Sequence, residues 1–217
     1  GNLLSSSLAR IASGLRVNNS KDDAASLAIA TQLNSDSITL QQGAKNLSDA
    51  LSLAKIADGS LSEQSQIVFR LKELAEQSVT GLVNQNQRDS IQLEFSSLVK
   101  ELDRIAKTTS VNGQNLLDGS LSASAATQVV IQVGINSNAS NRINLNTEAD
   151  INSTTAQALG LSALSVDSQV NSLAAIPAIT TIMNTLSMTR AKVGATENRF
   201  EHALSNLNVS AQNLTSA

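Results

Sequence analysis

One feature constrains this chain more than any other. From Ala24 onward, apolar side chains recur at steps of three and four for more than 50 residues. Leu40, Ala44, Leu47, Leu51 and Ala54, then Leu61, Val68, Leu71 and Ala75, are separated by Ser, Asp, Gln and Lys. That spacing gathers them on one stripe of an α-helix, as a heptad-like seam. A helix over roughly residues 22–79 is on the order of 85 Å long. A rod of that length cannot bury its stripe against itself, so partners must run beside it. Ser20-Lys21-Asp22-Asp23 at its start is close to a capping box, with both acids at the positive end of the helix dipole. Gly81 stands where a C-cap glycine ends such a helix.

The rest of the chain supplies the partners. Asn86 with Asp89 opens a second periodic segment, Ile91, Phe95, Leu98, Leu102 and Ile105, the natural return helix for the first. Beyond Lys107, Asn112-Gly113 and Asp118-Gly119 are turn dipeptides. Val129, Ile131, Val133 and Ile135 alternate with polar residues, as do Ile143 and Leu145. These predict two short strands joined by an Asn/Ser-rich turn over 136–142. Residues 147–170 are a Ser/Thr/Asn-rich connector. The single proline, Pro177, suits a first helical turn. After it, Ile179, Met183, Leu186, Val193, Phe200, Leu204, Leu207, Ala211 and Leu214 keep helical spacing to the chain end. The expected fold class is therefore mainly α: an elongated bundle of long antiparallel helices with a small β-hairpin region. Its parts are an N-terminal connecting segment (1–23), a long helix plus return helix (24–110), a hairpin and connector (111–173), and a C-terminal long helix (174–217). The periodicity does not fade at Ala217, which reads as a chain cut there.

Composition closes off several functions. Three Phe are the only aromatics, and the formal charge is −3, so neither stacking platforms nor a basic face is available for nucleic acid. No run approaches the roughly 18 apolar residues that span a bilayer, and no signal-peptide pattern opens the chain. Without cysteine and with one histidine, His202, thiolate and histidine-rich metal sites are ruled out. Lys21-Asp22-Asp23 is better explained by a helix N-terminus than by acid/base chemistry. No catalytic constellation, cofactor motif or metal site is expected.

Several motifs resemble those of the bacterial flagellins. Ala9-Arg10-Ile11-Ala12-Ser13-Gly14-Leu15-Arg16-Val17-Asn18, followed by Lys21-Asp22-Asp23-Ala24-Ala25, resembles the family's N-terminal signature. Arg70-Leu71-Lys72-Glu73-Leu74-Ala75 with Gln77-Ser78, Asn112-Gly113 before Leu116-Leu117, and Ile131-Gln132-Val133-Gly134 are similar to later family segments. So are Val193-Gly194-Ala195, Glu197-Asn198-Arg199-Phe200 and Asn213-Leu214-Thr215-Ser216-Ala217. The resemblance covers nearly the whole chain in the right order.

What the resemblance implies is a structural protein: the inner rod domain of a subunit that stacks into a motility filament, secreted to the extracellular bacterial flagellum. Family members carry further helix at both ends, so it also implies a trimmed chain that stays monomeric. Other flagellin subunits are the expected partners, together with the flagellin-sensing Toll-like receptor five. The receptor-binding positions of the family fall on Arg70, Leu74 and Glu94, flanked by Phe69 and Glu76. From spacing alone, Arg70 and Glu94 are an ordinary surface ion pair and Leu74 a member of the seam. Two further readings stand beside the filament subunit: the hook–filament junction protein, and a helical surface adhesin or binding module.

Overall fold

The computed structural model describes residues 24–216. Two long helices frame the molecule: α1, Ala24–Val79, and α4, Gln169–Ser216. They pack along the seam expected from α1's periodicity. Leu47, Ala54, Leu61, Val68 and Leu71 of α1 are buried, as are Ile179, Leu186, Val193 and Phe200 of α4. The return helix α2, Gln85–Thr108, buries Ile91, Phe95, Leu102 and Ala106 in the same core. At the other end of the seam, the Ser37 hydroxyl donates to the Ala211 carbonyl at 3.2 Å.

The ends of the helices differ from the sequence expectation. Gly81 is not left-handed. α1 instead ends in a turn whose backbone closes from Val83 N–H to the Thr80 carbonyl at 3.1 Å. α2 starts earlier than Asn86. Asn84 caps it, accepting from Gln87 N–H, while the Gln87 side chain accepts from Asn84 N–H. Gln closes this reciprocal box as well as an acid does, so a search for Asp or Glu misses it. α4 starts at Gln169, which puts Pro177 inside the helix rather than in its first turn. Pro177 and Leu173, four residues before it, are both exposed, so solvent can satisfy the carbonyl that the proline leaves without an N–H. The Ser20–Asp23 cap and the Ala9–Asp23 signature lie outside the described residues.

Residues 109–168 form a small layered cap on the side of the rod. Ser110–Val111 (β1) and Gln114–Asn115 (β2) are joined by Asn112-Gly113, with φ of 51° and 80°. Such a two-residue hairpin turn requires the left-handed region at both positions. Val130–Gln132 (β3) pairs antiparallel with Arg142–Asn144 (β4), the hairpin that the alternation predicts, and Ile131 stands opposite Ile143. Leu145 leaves the strand and begins a short helix, α3, Leu145–Ala149. The cap is held by a buried asparagine. Asn146 Nδ2 donates to the Ser120 and Ser122 carbonyls at 3.0 Å each, and its Oδ1 accepts from Val129 N–H at 2.7 Å. Gln64, fully buried on α1, donates to the Leu102 carbonyl at 3.2 Å and the Thr154 carbonyl at 3.4 Å, tying α2 and the cap to the rod.

Candidate partner-binding surface

The three residues picked out for partner recognition lie near the end of α1, where α2 runs back beside it. Arg70 and Glu94 come together across the two helices. Arg70 Nε donates to Glu94 Oε1 at 2.9 Å, and Nη1 donates to Glu73 Oε2 at 3.0 Å. Hydrogen bonds to Glu73 and then Glu94 hold the Arg70 guanidinium above its already high ordinary value, so it is a fixed cation at any accessible pH. About half of each side chain is open to solvent, 48% for Arg70 and 46% for Glu94. Phe69 and Leu93, their chain neighbours, are exposed apolar side chains. The result is a half-exposed, hydrogen-bonded charge pair, with an exposed apolar side chain at the preceding position of each helix.

Leu74 does not belong to this surface. Its side chain is 1% exposed and packs in the core with Leu71 and Ala75. The sequence places it one turn from Arg70, on what reads as the same face. The buried arc of α1 widens here because α1 has two neighbours, and the widened arc takes in Leu74 but not Arg70. Leu74 can therefore act on a partner only by holding the helix that carries Arg70.

Other exposed apolar residues are spread over the molecule. Ile56 of α1 is 45% exposed, with Leu53, Val111 and Val129 beside it in an open groove between the rod and the cap. Val130 on β3 and Met188 on α4 are also exposed. His202 sits on the exposed side of α4. Among the described residues no three His, Cys, Asp or Glu side chains gather as metal ligands would. No described helix is long and apolar enough to cross a membrane.

A long three-helix rod with a sealed core and a small strand-built cap is the class of fold this chain adopts. Comparison with known proteins gives the class its family. Residues 2–122 match the bacterial flagellin N-terminal helical region. The flagellin of Listeria innocua is 39% identical over 92% of this chain and 71% of its own length. The flagellar filament 30.7 kDa core protein of Treponema maltophilum is 32% identical over 96% of this chain and 74% of its own. The crystal structure of Bacillus cereus flagellin superposes with a TM-score of 0.63 at 27% identity, covering 75% of this chain and 88% of that one. The chain belongs to the bacterial flagellin family, and its role is that of a structural subunit of the flagellar filament.

Proposed function

We propose that this subunit packs against other copies of the flagellin through the outer faces of its rod, outside the cell after export. The observation that carries this reading is the set of exposed apolar side chains left once the core is sealed, above all Ile56 in the groove, Val130 on β3 and Met188 on α4. A filament is built by heterologous contacts that do not close, and exposed apolar side chains are the groups such contacts bury. Because these groups are spread over α1, β3 and α4, each contact is weak and assembly needs many at once. The isolated chain is then a monomer at micromolar concentration.

Electron microscopy of a flagellin-deficient cell expressing the full-length protein tests this. Filaments are expected from the parent, whereas Ile56→Asp with Val130→Asp is expected to export a folded chain that makes short filaments or none. Full-length filaments from the double variant would overturn the assignment of these faces. The family is a structural one, and we read the chain as having no catalytic role.

A second reading rests on the Arg70–Glu94 pair. A fixed cation and a carboxylate, half-exposed and flanked by Phe69 and Leu93, suit recognition by the flagellin-sensing Toll-like receptor. Arg70→Ala and Glu94→Ala are expected to lower receptor signalling at least tenfold, about 1.4 kcal/mol of binding, with circular dichroism unchanged. Signalling that persists at parental strength in both variants would remove the pair from the interface.

A further inference from the structure

The seam between α1 and α4 is apolar along most of its length, but one stretch carries charge. On α1, Lys55 and Asp58 adjoin the buried Ala54 and Ala57. On α4, Arg190, Glu197 and Glu201 lie around the buried Val193 and Phe200. Two ion pairs cross here. Arg190 holds Asp58 in a two-point grip, Nε to Oδ1 at 3.0 Å and Nη2 to Oδ2 at 3.3 Å. Lys55 Nζ reaches Glu201 Oε1 at 3.3 Å. Both cations are thereby engaged, and Glu197 is the carboxylate left over. Its side chain is half-buried, and its Oε1 is enclosed with no hydrogen-bond partner among the described residues.

We propose that Glu197 is a proton-binding site of the α1–α4 seam, and that taking up a proton there on mild acidification tightens the grip between the two long helices. The chemistry follows from what a carboxyl group can offer in each state. Ionised, Glu197 can only accept, and its charge adds to those of Asp58 and Glu201. Protonated, it is neutral and gains an O–H that can donate. Burial is the first cause holding its carboxyl above the usual glutamate range, and Asp58 is the next. Lys55 opposes them, and Glu201 adds to them. Further along α4, Lys192 and Arg199 are engaged by Asp150 and Glu148 of the cap.

A carboxyl whose pKa rises on folding is bound to its proton more tightly in the folded chain than in the unfolded one. The associated stability is fully present below the ordinary glutamate range and is lost as pH rises through the folded value. This coupling belongs to the single chain and holds whether or not copies assemble.

Thermal melting of the whole chain with and without Glu197→Gln tests it. At about pH 7.5 the variant is expected to melt a few degrees higher than the parent. Moving below the ordinary glutamate range is expected to bring the parent up to the variant. Carboxyl carbon NMR reads the same site directly: the Glu197 midpoint should lie above the other glutamates, fall in Asp58→Asn and rise in Lys55→Met. A Glu197 that titrates with the exposed glutamates, or a variant that melts no higher than the parent at about pH 7.5, overturns the proposal.

Discussion

Arg70 and Leu74 lie four residues apart on one helix and have opposite fates. Along the middle of α1 only α4 and the cap lie beside the helix, and the buried stripe is narrow. Near Val79 the helix has α2 on one side and the start of α4 on the other, and Val68, Leu71, Leu74, Ala75 and Ser78 are all enclosed. The arc ends between Leu74 and Arg70, so Leu74 lies in the seam where spacing alone puts it, and not on the face that the resemblance implied. The two residues should therefore fail in different ways when mutated. Leu74→Ala is expected to cost about 2–5 kcal/mol of unfolding free energy through the cavity it leaves. Leu74→Met, which keeps the volume, should cost less than about 1.5 kcal/mol. Arg70→Ala should leave the midpoint of chemical unfolding nearly unchanged, since the ion pair it removes stands in solvent. A Leu74→Ala chain with parental stability would mean that the site can be vacated freely, and the direct-contact reading of Leu74 would return. The same lesson applies to polar residues. Nothing in the local pattern marks Asn146 or Glu197, and spacing puts Gln64 on the seam between Leu61 and Val68 without naming its distant partners.

At the scale of elements, what was legible followed from period, and what was not followed from contacts at ends. The three-four spacing of Leu40 through Ala75 and of Ile179 through Leu214 located both long helices, since a stripe must face a partner wherever that partner lies. The alternation around Ile131 and Ile143 located the hairpin, because both residues point into the core; its register comes from the structure. Helix ends carry no such redundancy. Asn84 with Gln87 caps α2 by side-chain geometry that several nearby Asn and Gln residues could supply on paper. The stretch read as connector is more ordered than its Ser/Thr/Asn content suggests, because carbonyls and amides find partners across the cap. The Leu121 and Ile151 backbones bridge, Thr154 N–H donates to the Leu117 carbonyl at 2.9 Å, and the Ser78 hydroxyl donates to the Val166 carbonyl at 2.6 Å. Gly43 shows how closely the cap approaches the rod. A Cβ there would meet the Val133 carbonyl oxygen at 2.8 Å, which fits the donation from Asn46 Nδ2 to the Gln132 carbonyl one turn on. Only a residue without a Cβ leaves room for that approach.

For the molecule as a whole, the question is what makes rod and cap behave as one body, and charge has a large part in it. Lys192 of α4 holds Asp150 at 2.8 Å, and Asp150 also accepts from Ala123 N–H, while Arg199 holds Glu148. These contacts fasten α3 and the neighbouring turns to α4. The Lys192 ammonium, and after it the Ala123 amide, keep the Asp150 carboxyl below the usual range. Lys107 is the leading cause of the same effect on Asp103, with the Ala156 amide of the cap assisting against burial. A carboxyl whose pKa is lowered by folding contributes stability that is present above its unfolded value and is lost as pH falls through the folded value. That loss runs opposite to the Glu197 effect, so melting temperature should pass through a maximum on the acid side of neutrality and fall below about pH 4. The falling side should begin in the cap, because Asp150 and Asp103 both join it to helices whose own seam is closed mainly by apolar side chains. Hydrogen exchange at about pH 3.5 is accordingly expected to show early loss of protection at Ala123, Val129 and Ala156, with Leu61, Val68 and Val193 still protected. Asp150→Asn should bring the cap part of that change to neutral pH and leave the seam intact. If cap and seam instead lose protection together at every pH, the salt links do not divide the molecule, and rod and cap form a single cooperative unit held by the apolar core.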